Sequence, residues 1–118
     1  GETFNAEGKT DILIRVNNKN IFIAECKFWH GEAEFLKAVN QLLSYLSWRD
    51  TKTALIIFNK NKDFTKTIEK IKQSIKQHPN YKSELKKYSE TQFSYLFHQK
   101  DDKLRDIFIA ISAFNVPN

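Results

Sequence analysis

The hydrophobic positions of this chain fall into short apolar runs and two longer segments with helical spacing. The short runs are rich in Ile, Leu and Phe and are bounded by turn residues, which is typical of β-strands. They predict five strands, at residues 11–16, 21–28, 53–58, 91–98 and 106–114. The first run is nearly apolar on both faces, as expected for a central strand that is covered on two sides.

The two longer segments have the periodicity of amphipathic helices. Residues 32–48 carry an uninterrupted apolar stripe, formed by Phe35, Leu36, Val39, Leu42, Leu43 and Leu46. A second helix is predicted from Asp63, as its N-cap, to about Gln77, with a stripe formed by Phe64, Ile68, Ile71 and Ile75. Residues 81–90 have no clear period and predict either a short helix or a loop.

The predicted order is β-β-α-β-α-β-β, which favours an α/β fold with a mixed central sheet and helices on both of its faces. A polar turn at residues 17–20 folds the first two strands together. The helix between the second and third strands is a crossover, which favours a parallel pair, and the last two strands are compatible with a hairpin. We therefore expect one α/β domain over residues 1–118.

Composition narrows the class of protein. Of 118 residues 41% are hydrophobic and only three are Gly and two Pro, which argues against disorder. No apolar run has the length of a membrane span, and we expect no signal peptide. The lone Cys26 excludes an internal disulfide and favours a cytoplasmic location. Because the sequence begins with Gly and lacks Met, we interpret it as a fragment whose partners include other domains of one polypeptide.

Positive charge is concentrated in one part of the chain. Residues 60–87 contain nine Lys and three acidic residues, a local net charge of +6, whereas the rest of the chain sums to −1. Such a segment favours an anionic partner, nucleic acid above all. A solvated, lysine-rich helix face explains the same pattern equally well.

Asp11, Glu25 and Lys27 are the residues with the clearest chemical signal. Glu25 and Lys27 are two apart on one predicted strand and therefore point to the same face, and the turn at residues 17–20 can bring Asp11 beside them. Two carboxylates suffice to hold Mg²⁺ (or Mn²⁺), which keeps several waters. Lys27 could orient a nucleophilic water or stabilise the charge that develops on a phosphate. The alternative is a buried ion pair that holds two strands in register.

The neighbours of this triplet have alternative interpretations. Cys26 points to the opposite face and is expected to be a small core residue. His30 could touch a substrate or lie in a surface loop. Trp29 could stack on a nucleic-acid base or cover the sheet edge. A second Glu-x-Lys triplet, at residues 84–86, shows that the spacing also arises by chance.

The first predicted helix adds a further candidate set. Gln41 and Tyr45 are four residues apart, so they share a helix face that is offset from the Leu stripe, and Lys37 lies near that face. A Gln amide and a Tyr hydroxyl directed at the strand ends could bind a phosphate or order Lys27. The same pattern also fits a half-exposed helix flank.

These motifs together resemble the PD-(D/E)xK nuclease superfamily. Gly8-x-x-Asp11 and Glu25-x-Lys27 match its core pattern, and Gln41-Leu-Leu-Ser-Tyr45 is similar to the Q-x-x-x-Y motif of RecB-like members. The resemblance covers residues 5–60. It implies a restriction-endonuclease-like, three-layer α/β/α fold, although the helix that precedes the first strand in many members is absent from this sequence.

The resemblance also implies roles for individual residues. Asp11 and Glu25 would be metal ligands, with the Cys26 backbone carbonyl as a candidate third, and Lys27 would be the catalytic lysine. Gln41 and Tyr45 would support the site or contact nucleic acid. The expected function is a metal-dependent nuclease that acts on DNA in bacterial defence or repair. The alternatives are a catalytically inactive module that binds nucleic acid or a partner protein, and a homodimer formed through a sheet edge.

Overall fold

The computed structural model describes the backbone of residues 2–4, 10–16, 19–44 and 52–116, and the side chains of residues 23–44 and 52–116. The strands within these ranges are β1 (Glu2–Phe4), β2 (Thr10–Val16), β3 (Lys19–Phe28), β4 (Lys52–Asn59), β5 (Tyr81–Ser89), β6 (Gln92–Gln99) and β7 (Asp102–Asn115). The helices are α1 (Glu32–Ser44) and α2 (Phe64–Lys76). In the described part, no helix is long and apolar enough to cross a membrane.

The strands form one mixed sheet in the order β1-β2-β3-β4-β7-β6-β5. The first three strands are an antiparallel meander, and β3, β4 and β7 run parallel to one another. The crossover through α1 thus joins a parallel pair, as predicted. β7 then pairs antiparallel with β6, which confirms the final hairpin, and β6 pairs antiparallel with β5.

Both helices form where the apolar spacing predicts them. α1 buries Phe35, Ala38, Val39, Leu42 and Leu43. The side chain of Asp63 accepts a hydrogen bond from the Lys66 backbone N–H (3.0 Å), which confirms the predicted N-cap of α2. Residues 45–48, which the sequence assigns to the first helix, lie outside the described residues.

The two helices lie on the same face of the sheet, and this differs from the sequence prediction. Their buried stripes join one apolar core with alternate residues of the strands, including Leu55, Ile57, Phe93 and Ile109. α1 and α2 also contact each other. In the described part the fold therefore has two layers, not the three that were predicted. The alternation of apolar positions indicates which residues are buried, but it does not indicate which layer covers them.

The opposite face of the sheet, which we call the outer face, is formed by the intervening positions of the parallel strands. They are residues 24, 26 and 28 of β3, residues 54, 56 and 58 of β4, and residues 108, 110, 112 and 114 of β7. Ala24 and Cys26 are buried, the β4 residues are half-buried, and Phe108 and Phe114 are exposed. The outer face therefore opens to solvent on the side of β7.

The segment predicted as a short helix or loop is strand β5. Every residue after Tyr81 in this edge strand is exposed, so no apolar alternation marks it in the sequence. Backbone pairing with β6 supports it, and the register shifts at three places along the pair. Hydrogen bonding to a neighbouring strand here outweighs the weak strand preference of Lys, Glu and Ser.

A buried histidine connects α1 to the chain that leaves α2. His78 Nδ1 accepts a hydrogen bond from the Asn80 backbone N–H (3.0 Å), so the ring proton lies on Nε2 and is donated to Asn40 Oδ1 (2.6 Å). The Asn80 side chain in turn donates to the His98 carbonyl (3.1 Å). This network needs the neutral form of His78, since a protonated Nδ1 could not accept.

The stability of the protein is expected to fall as the pH falls below that of neutral solution. Burial lowers the pKa of His78, and the positive charges of His98 and Lys100 lower it further. The unfolded chain then binds a proton more readily than the folded chain. The stabilisation that neutral His78 provides is therefore complete above the ordinary histidine pKa of about 6.5, and it is lost as the pH falls below that value. Urea denaturation at a series of pH values should show this decline, and the decline should be shallower in His78→Gln. An equally steep decline in that variant would contradict the assignment.

Candidate metal and phosphodiester site

The register of the first hairpin places the two candidate acids opposite each other. Asp11 of β2 pairs with Glu25 of β3, and Thr10 pairs with Cys26. Residues paired in this way have Cβ atoms about 4.5–5.5 Å apart. The backbone therefore meets the geometric condition for a shared cation, while the side chain of Asp11 lies outside the described residues.

Glu25 occupies a fully buried position in the centre of the sheet. Its side chain has 0% exposure and lies on the face covered by the helices, in register with Leu55 of β4. Lys27 follows on the same face, and its Nζ lies 3.9 Å from Glu25 Oε1. The lysine side chain retains 24% exposure, so it connects the buried carboxylate to the surface.

This arrangement is costly in free energy for a purely structural role. Moving a carboxylate out of water costs several kcal/mol, and an ion pair inside a protein recovers only part of that cost. The distance of 3.9 Å from Glu25 to Lys27 is also longer than a direct charge-assisted hydrogen bond. A desolvated carboxylate with a specific charged neighbour is, in contrast, a candidate for a functional site.

The residues around Glu25 supply part of the ligand set that a hard divalent cation needs. Among the described side chains, no group of three or more His, Cys, Asp or Glu residues could hold a metal ion. Glu25 and the register-paired Asp11 supply two carboxylates, and Mg²⁺ requires only one or two because it keeps several waters. The donor set thus suits Mg²⁺ or Mn²⁺ better than a metal that needs a complete protein cage.

Cys26 lies where the sequence predicts it. Its side chain is buried and belongs to the outer face, opposite to Glu25 and Lys27. The neighbouring Trp29 is also buried, and its ring packs on Phe35 with centroids 5.7 Å apart. Trp29 therefore covers the end of the sheet and has too little exposed surface to stack on a base. His30, the next residue, is exposed in the connection to α1.

The helix residues of the candidate site are placed differently from one another. Gln41 is half-buried on the flank of the α1 stripe, between Ala38 and Leu42 in the sequence. Lys37 lies on the exposed side of α1, where its Nζ is 3.3 Å from Glu34 Oε1. Lys37 is thus engaged by a neighbouring residue of its own helix. Tyr45 lies outside the described residues.

The sequence interpretation missed a row of aromatic rings at the carboxyl ends of the parallel strands. Phe28, Phe58 and Phe114 are paired in register across β3, β4 and β7. Their ring centroids are 5.6 and 6.0 Å apart, and the Lys60 ammonium lies 4.4 Å from the centroid of Phe28. The signal that could have revealed the row is the Phe that ends, or nearly ends, each of three apolar runs.

Comparisons with protein-family models, with curated proteins and with solved structures found no match to this chain. A function for this chain is therefore inferred from the chemistry of Glu25, Lys27 and Asp11.

Proposed function

We propose that this chain is a metal-dependent nuclease that hydrolyses phosphodiester bonds, with DNA as the expected substrate. The observation that carries the proposal is the pairing of Asp11 with Glu25 in the β2–β3 register, together with Lys27 beside the buried Glu25 carboxylate. Acid, acid and ammonium at one point of an apolar sheet suit attack on a phosphodiester.

Each residue has a defined role in this reaction. Asp11 and Glu25 would hold Mg²⁺ or Mn²⁺, with the Cys26 backbone carbonyl as a candidate third ligand. A bound divalent ion supplies charge neutralisation at the phosphate and lowers the pKa of a coordinated water. The Lys27 ammonium, which is partly exposed, would stabilise the negative charge that develops on the phosphate oxygens. Gln41 would support the site from the flank of α1.

The order of elements also supports a restriction-endonuclease-like fold. The acid lies on β2, the Glu-x-Lys triplet lies on the adjacent β3, and Gln41 lies on the helix that leads into the parallel strand β4. This is the order that the resemblance to the PD-(D/E)xK superfamily implies. The proposed setting is a cytoplasmic bacterial protein of defence or DNA repair.

Cleavage of plasmid and of single-stranded DNA by the protein, with Mg²⁺ or Mn²⁺, tests the proposal. Lys27→Gln is expected to reduce the rate about a hundredfold, since removing one group that stabilises transition-state charge has an effect of that size. Lys86→Gln is the matched control, because Lys86 ends the second Glu-x-Lys triplet, on the exposed strand β5. Cleavage that persists in Lys27→Gln, or that survives chelation of the metal, would place the activity elsewhere.

A second function is favoured by the surface of α2. Lys66 and Lys76 are exposed on its sides, while Lys70 and Lys72 are half-buried, with the Lys72 ammonium 5.3 Å from the centroid of the Phe93 ring. Such a face suits a catalytically inactive module that binds nucleic acid through phosphates. The cleavage experiment distinguishes the two functions, because this module would bind DNA in a salt-sensitive manner, with no metal requirement and no product.

A further inference from the structure

We propose that the outer face of the sheet, at the row formed by Phe28, Phe58 and Phe114, binds single-stranded nucleic acid. This surface is separate from the candidate metal site, because the ring of Phe28 and the side chain of Lys27 are on opposite faces of β3. If the chain is the proposed nuclease, this surface makes single-stranded nucleic acid its substrate class. If the chain is a module without activity, the same surface binds single strands without cleaving them.

The accessible rings are the first observation. Phe114 is 46% exposed and Phe108, six residues earlier on the same face of β7, is 36% exposed. Between them lie Ala110 and Ser112, whose side chains are small and half-buried. Exposed aromatic rings on an open sheet face offer stacking surfaces to unpaired bases.

The distribution of charge on this face is the second observation, and it selects an anionic partner. Lys60 lies over the Phe28 ring at one end of the β4 row, and Lys52 lies exposed at the other end. Within the described residues 24–28, 52–58 and 108–114 the outer face has no carboxylate, and Asp106, two positions before Phe108 on the same face of β7, forms an ion pair with Lys82. A polyanion with flat apolar bases matches both the lysines and the rings, whereas an apolar protein helix would match only the rings.

Single strands fit this surface better than a duplex. In a duplex the base faces are stacked on one another and only phosphates and base edges are available. A ring that is half-exposed on a sheet, such as Phe114, can stack only on a base that has left its neighbours. The Phe row therefore predicts a preference for single strands, and the Lys60 ammonium predicts salt dependence.

Fluorescence anisotropy with a labelled oligothymidylate of about 12 nucleotides, a length in the range of single-strand binding sites, tests the proposal. Chelator is present throughout, so the result does not depend on cleavage. Phe114→Ala is expected to weaken binding about tenfold, as loss of one stacked base does. Phe114→Leu should weaken it similarly, because it keeps the apolar volume but removes the ring. Lys60→Gln should lower the slope of log affinity against log salt by about 0.7.

Tyr88→Ala is the matched control. Tyr88 is 54% exposed on strand β5 and has the Lys86 ammonium 4.9 Å from its ring centroid, so it is a second cation–aromatic pair outside the proposed surface. The Tyr88→Ala variant should bind the oligonucleotide with the affinity of the unmodified protein. Equal affinity for a duplex of the same length, unchanged binding by Phe114→Leu, or an equal loss in Tyr88→Ala would each overturn the proposal. Sedimentation showing a dimer that Phe114→Ala dissociates, without oligonucleotide binding, would assign the face to self-association instead.

Discussion

Glu25→Gln is expected to abolish metal-dependent cleavage while the fold stays as stable as before or becomes more stable. The Glu25 side chain has no exposed surface, so its charge is held at a cost in desolvation that the neutral and nearly isosteric amide avoids. The amide also lacks the negative charge that holds a hard cation. Loss of the metal removes several kcal/mol of transition-state stabilisation. Since each 1.36 kcal/mol is a factor of ten, the rate should fall roughly a thousandfold or more.

The stability and the cleavage rate of this variant should be measured together. Glu84→Gln is the control, because Glu84 begins the second Glu-x-Lys triplet and is exposed on β5, so neither quantity should change. A Glu25→Gln protein that unfolds at much lower urea concentration but cleaves normally would show that the pair of Glu25 and Lys27 is structural. A lower cleavage rate together with a higher free energy of unfolding would indicate that Glu25 is retained for its chemistry.

Phe97→Ala is expected to remove a large part of the free energy of unfolding. Phe97 is 0% exposed in β6, and its ring contacts those of His78 and Tyr81 at centroid distances of 5.3 and 5.9 Å. Truncating a buried Phe costs about 3–5 kcal/mol, against a total of about 5–15 kcal/mol for a domain. The melting temperature should fall by on the order of 15 °C, which urea and thermal denaturation would both detect.

Phe108→Ala provides the comparison for that experiment. Phe108 is in the adjacent strand β7, on the outer face, and is 36% exposed. Its truncation removes less buried surface and should lower the free energy of unfolding by about 1 kcal/mol, the ordinary size for a point mutation. Equal losses for Phe97 and Phe108 would mean that the two faces of the sheet are packed alike, contrary to the two-layer arrangement.

The elements that could be predicted are those whose burial leaves a period in the sequence. β4 was predicted as residues 53–58 and extends over Lys52–Asn59, because alternate residues of it are buried under the helices. β5 was missed because an exposed edge strand has no such period. The arrangement of both helices on one face was also missed. That arrangement depends on which sheet face the paired helices cover, and a single helix stripe contains no information about it.

The candidate site shows the same division between local and tertiary information. The sequence indicated that the turn can bring Asp11 beside Glu25, but their direct pairing depends on a register shift between Ile14 and Arg15, without which Asp11 would pair with Ala24. The sequence left open whether Trp29 stacks on a base or covers the sheet edge, because its packing on Phe35 depends on how α1 lies on the sheet. Lys37 likewise pairs with Glu34 on its own helix, and a local partner of this kind competes with any distant role.

The bulged strand β5 has a consequence for how this protein behaves at high concentration. It forms one end of the sheet, where backbone N–H and C=O groups would otherwise offer a template for another chain. Lys82, Lys86 and Lys87 place charged side chains along this strand, two of them in ion pairs with Asp106 and Glu90, and its irregular register disfavours regular pairing with a second copy. The same lysines that suggest nucleic-acid binding therefore also protect this end of the molecule against fibril growth.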